Sequence, residues 1–107
     1  RGQTEQEVAA RERLARLATI QAGYNELKKR GDREATIAYA QKHLDDLDLY
    51  KELRPLQRYI DDQTARRRQV ERSTKYSKED REALISLYRD RISEASNAII
   101  GKKLEAP

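Results

Sequence analysis

One stretch constrains the fold more than any other: LYKELRPLQRYIDDQTARRRQVERS, residues 49–73. Its large apolar residues Leu49, Leu53, Leu56 and Ile60 step by four, three and four, and the rhythm continues through Gln63 and Arg67 to Val70. Such spacing keeps one face of an α-helix turned the same way, so the stretch is a helical seam, apolar at its start and polar toward its end. As a single helix it is roughly 37 Å long, too long for a small globule to bury from end to end, and it needs neighbours. Pro55 leaves two readings of where this helix begins. Proline lacks an amide hydrogen and collides with the carbonyl four residues back, so the helix either starts at about Arg54 or starts near Leu49 and bends. The continuous seam on both sides of Pro55 favours the bend.

The neighbours are visible in the same periodicity. Thr4 and Glu7 form a capping-box pattern ahead of a stripe running through Ala10, Leu14, Leu17, Ile20 or Gln21, Tyr24 and Leu27. Arg11, Glu12, Arg13 and Arg16 lie off that stripe and are expected in solvent. Lys28, Lys29 and Arg30 suit the negative end of a helix dipole, and Gly31 suits a left-handed terminator. Asp32 is placed to cap a second, short helix. Leu44 to Asp48 is expected to form a corner, with Asp46 or Asp48 capping the third helix. Ser73 to Ser77 is a loop, and Ser77 with Asp80 signals the last helix. The apolar seam of that helix is Ile85, Tyr88, Ile92, Ala95 and Ile99, widened by Leu84, with Gly101 as its terminator. A short loop makes antiparallel neighbours the expected arrangement, with Val70 facing the start of the last helix and Leu53 its end. The first helix would cover the remaining groove.

These segments define an all-α chain. Residues 1–107 read as a single helical module with helices at about 4–30, 33–44, 49–73 and 78–100. Three to four mostly antiparallel helices form an elongated hairpin or small bundle, and the chain is expected to be a piece of a longer one. The core is thin: Leu, Ile and Val together number 20 and Phe is absent, near the level of about 20% at which disorder competes with folding. The regular spacing argues for helices whose seams are completed by neighbouring segments or subunits.

Charge excludes some functions and leaves others open. The 23 basic and 19 acidic residues give a net +4, a mixed surface rather than a polycation. Locally it is blocky, at −3 over residues 31–53 and +4 over 54–75, so that blocks on adjacent helices or partners attract. Without cysteine, disulfides and thiolate zinc sites are impossible. No apolar run approaches the roughly 20 residues that span a bilayer.

Few residues suggest chemistry. His43 lacks companions at metal-ligand spacing and reads as a helix-end histidine favoured by the dipole. Asp45, Asp46, Asp48 and Glu52, like Asp61 and Asp62, are neighbours on solvated faces, not carboxylates held across a cleft, and read as caps and surface charge. No serine has a base at a recognisable spacing and no glycine-rich phosphate loop exists, so no catalytic site, cofactor or small-molecule substrate is expected. The six tyrosines, Tyr24, Tyr39, Tyr50, Tyr59, Tyr76 and Tyr88, are expected at core edges with their hydroxyls in water. The strongest candidate contact is the group Gln63, Arg66, Arg67, Arg68, Arg72 and Lys75, either a partner-facing salt-bridge surface or a contact for phosphate. As a phosphate contact it would make the chain a basic helical module binding nucleic acid or an anionic membrane surface through Arg66 to Lys75.

The order of segments carries a resemblance. Gly31-Asp32-Arg33-Glu34-Ala35 opens a short helix, Tyr39 to His43 leads to the acidic corner, and Leu49-Tyr50-Lys51-Glu52-Leu53 comes next. Then come Arg68-Gln69-Val70-Glu71-Arg72 and Ser77-Lys78-Glu79-Asp80-Arg81. Over residues 12–100 this is similar to helical segments of very large phage and prophage virion proteins, the large polyvalent protein associated domains, including tape-measure and internal ejection proteins. The resemblance implies a non-enzymatic structural role in a virion, within a chain that packs in a capsid or tail and accompanies DNA delivery. Any enzymatic domain would belong to another part of the parent. Its partners would be copies of itself, other segments of the parent chain or other virion proteins. No functional residue of that family has a matching motif here.

Overall fold

In the computed structural model, which describes residues 4–101, helix α1 spans Glu5–Arg30, α2 Arg33–Lys42, α3 Leu44–Arg72 and α4 Lys78–Gly101. The described residues contain no strand. The helix starts are set locally. Thr4 Oγ1 accepts from the Glu7 amide at 3.2 Å while Glu7 Oε2 accepts from the Thr4 amide at 3.1 Å, closing the capping box. Asp32 Oδ1 accepts from the Ala35 amide at 3.1 Å, and Ser77 Oγ from the Asp80 amide at 3.1 Å. Gly31 ends α1 with φ 77°, where a Cβ would be strained.

The expected corner over Leu44 to Asp48 is instead a single residue, His43, and neither Asp46 nor Asp48 is a cap. His43 leaves the helical region only mildly, at φ −114° and ψ 19°. Its amide still reaches the Tyr39 carbonyl at 3.0 Å, and its own carbonyl accepts from the Leu47 amide at 2.9 Å. Backbone hydrogen bonding therefore continues almost through the bend. Asp45 and Asp46 then fall in the first turn of α3, where the dipole favours them, and Asp48 follows in the next turn. The α3 helix runs unbroken through Pro55, so the alternative start at Arg54 is overturned. Lys51 and Pro55 are both exposed, which lets water serve the Lys51 carbonyl that proline cannot.

Helices α3 and α4 lie antiparallel in the expected register. The Arg81 guanidinium donates to the Ser73 carbonyl at 2.8 Å, Arg91 to Gln63 Oε1 at 3.3 Å, and Ile99 joins Leu49 and Leu53 in the core. The α1 helix covers their other half, bringing Ala10, Leu14 and Leu17 into the same cluster. It runs antiparallel to α3, with Glu7 and Ala10 near Thr64 and Arg68, and Ala15 and Ala18 near Tyr50 and Arg54. Because α1 begins at about the level of Thr64 to Arg68, the α3–α4 hairpin continues past it as two helices. The molecule is accordingly long, 61 × 30 × 21 Å.

Two side chains depart from their expected surroundings. Arg13 is half-buried rather than solvated, and its Nη1 donates to the carbonyls of Ile99 and Ile100. It thereby satisfies the end of α4, which extends through Gly101 without a left-handed glycine. The Tyr39 hydroxyl donates to the Ile20 carbonyl at 2.8 Å, not to water, while the ring lies 4.4 Å from that of His43. This close approach of α2 to α1 depends on Gly23, where a Cβ would overlap the Tyr39 hydroxyl. Gly23→Ala should therefore destabilise by about 1 kcal/mol in urea titrations, despite alanine's higher helix propensity. In a Tyr39→Ala background the same change should stabilise by about 1 kcal/mol, because only the propensity gain remains.

Candidate functional site: an arginine-lined trough

The residues singled out from the sequence do not form one surface. Gln63 is only 4% exposed and lies against α4, its Oε1 accepting from Arg91 and its Nε2 donating to Asp62 Oδ2 at 3.3 Å. The polar part of the α3 seam is thus closed within the chain at this point. Arg66 Nε pairs with Asp62 at 3.0 Å, and both side chains are more than half exposed, so the pair contributes only a few tenths of a kcal/mol. Arg67 Nε lies 3.7 Å from Glu71 Oε2 and is largely covered. Arg68, Arg72 and Lys75 are exposed and make no ion pair among the described residues. Successive helical residues point about 100° apart, and the cluster is divided accordingly: Arg67 and Arg68 face α1, whereas Arg66, Arg72 and Lys75 do not.

Arg67 and Arg68 belong to a trough between α1 and α3. At one end it encloses about 500 Å³ between Glu7 and Arg68, with Ile92 and Ser96 of α4 in its lining. At the other it encloses about 400 Å³ beside Ala18, Tyr50 and Arg58. Arg11, Leu14, Gln57 and Asp61 line both ends, so the trough is continuous. Five arginines, Arg11, Arg54, Arg58, Arg67 and Arg68, line it with two carboxylates, Glu7 and Asp61, and even with Arg67 paired to Glu71 its lining is net positive. Asp61 already accepts from Gln57 Nε2 at 3.0 Å, and the Arg54 guanidinium lies 5.8 Å from the centre of the Tyr50 ring.

Two residues of the trough's lining carry a buried polar atom without a hydrogen-bond partner among the described residues: Ser96 Oγ, in a residue 1% exposed, and Arg67 Nε. Such atoms are uncommon in folded chains because leaving them unpaired is costly. Nothing in the trough resembles a nucleophile with its base. Guanidinium groups beside small apolar residues such as Ala18 and Ala65 suit a surface that takes acidic side chains on an apolar backing.

The sequence does carry a signal for the trough, in a form other than a run of like charge. Arg54, Arg58, Asp61, Ala65 and Arg68 step by four, three, four and three, a second stripe beside the apolar seam of α3. Arg11 on α1 carries no comparable mark; only the packing of α1 brings it opposite. The described residues, His43 at the corner among them, contain no group of three His, Cys, Asp or Glu side chains able to hold a metal. No described helix is long and apolar enough to cross a membrane. No family model, curated protein or solved structure matches this chain.

Proposed function

We propose that this chain is a non-enzymatic structural and assembly module, a rod-like helical segment that joins copies or neighbouring segments of a larger structure. The observation that carries this reading is the arginine-lined trough along α1 and α3, an extended positively charged surface suited to docking, on a molecule 61 Å long. The setting in a phage virion, in a large internal or tail protein that accompanies DNA delivery, rests on the resemblance in segment order alone. The alternative, binding of nucleic acid or a membrane surface through Arg66 to Lys75, draws less support, since Arg66 and Arg67 already face Asp62 and Glu71.

Sedimentation velocity over a concentration series at low salt tests the assembly role. The expected result is concentration-dependent association beyond the 12.5 kDa monomer, weakening as salt shortens the range of the charges. A monomer at every concentration and salt would overturn it.

A further inference from the structure

We propose that the trough between α1 and α3 receives the acidic corner between α2 and α3 of a second copy of this chain. The inference rests on the assembly role and names the surface that performs it. Three observations converge on it.

The first is charge. From Asp32 to Glu52 the chain carries six acids against Arg33, Lys42 and Lys51, and Asp45 and Asp48 at the head of α3 are exposed. Among the described residues neither makes an ion pair. The trough has the opposite excess, with Arg11, Arg54 and Arg58 also exposed and without ion pairs among the described residues. Opposed patches of this kind steer encounter and fix orientation.

The second is shape and apolar surface. The α2 helix packs on α1 through Tyr39 but contains no buried residue, and its other face, with Ile37 and Ala38, is exposed. Its ten residues are about 15 Å long, and the trough from Glu7 to Ala18 runs about 16 Å along α1. Ile37 on α2 and Leu44 at the head of α3 are the two most exposed large hydrophobic side chains of the described residues, at 49% and 52%. Docking would bring these apolar groups to Ala15, Ala18, Ile60 and Ala65, the apolar lining residues that keep some exposed surface.

The third is rigidity. The corner and the α3 wall of the trough belong to one unbroken helix, so no copy can turn its own corner into its own trough. The match is satisfied only between copies, head to tail.

Because the two surfaces differ, a charge swap tests the contact. One variant carries Arg11→Glu and Arg58→Glu in the trough, and the other carries Asp45→Lys and Asp48→Lys at the corner. Circular dichroism checks that each remains helical; Asp45→Asn with Asp48→Asn replaces the second pair if helicity falls. In sedimentation at low salt each variant alone should associate at least about tenfold more weakly than the native chain. An equimolar mixture of the two reversed variants should regain association, since each offers the surface the other now needs. With the neutral corner pair, the weakening itself is the deciding result. If the native chain associates but folded variants associate equally well, or the mixture of reversed variants fails to recover, the corner-in-trough contact is wrong while the assembly role stands. If the native chain never associates, the assembly role fails and this contact fails with it.

Discussion

Replacing Leu53 by alanine should remove about 3 kcal/mol of stability, a large share of what a chain of this size possesses. Leu53 is fully buried and meets α1 and α4 together with Leu49, Leu14, Leu17 and Ile99. Truncation loses the burial of the removed carbons and leaves a cavity where three long helices meet, with few other large apolar contacts to hold them. Only nine hydrophobic residues are buried among those described, so the loss is not spread over a deep core. A urea titration followed by circular dichroism should show a markedly lower midpoint. Leu44→Ala, at a side chain 52% exposed, should change stability by no more than about 0.5 kcal/mol.

Replacing Pro55 by alanine should have the opposite effect, a gain of about 2 kcal/mol. Proline in a helix interior costs about 3 kcal/mol relative to alanine, through the lost hydrogen bond and the clash with the preceding turn. Part of that is offset because proline also restricts the unfolded chain, by up to about 1 kcal/mol. Alanine would supply the amide hydrogen that the Lys51 carbonyl lacks. Had α3 started at Arg54, Pro55 would lie in its first turn and the same replacement would be neutral or harmful. The sign of the change in the urea midpoint therefore reports whether α3 is continuous from Leu44 to Arg72 in solution.

The features legible in the sequence are mostly those decided within a few residues. Thr4 with Glu7, Asp32 with Ala35, and Ser77 with Asp80 are caps whose partners lie three positions away, and each forms as its spacing implies. The antiparallel α3–α4 register is also legible, because a short loop joins two seams of matching rhythm. The features that escape depend on which helix lies opposite. Arg13 looks like a solvent residue until the end of α4 is set beside it, and Gly23 has no visible purpose until Tyr39 of α2 lies across it. The corner falls earlier than expected because three aspartates resemble a loop, whereas two of them, Asp45 and Asp46, lie in the first turn of α3 and are favoured by the helix dipole. The trough falls between these cases. Its α3 wall is a regular stripe in the sequence, but its significance appears only when α1 supplies the other wall.

Small-angle X-ray scattering over a concentration and salt series reads both the rod shape and its self-association. At high salt and extreme dilution the radius of gyration should approach the 18.1 Å of the single chain, and it should rise with concentration at low salt. A concentration-independent value near about 13 Å, that of a compact domain of this length, would contradict both the extended fold and the assembly role built upon it.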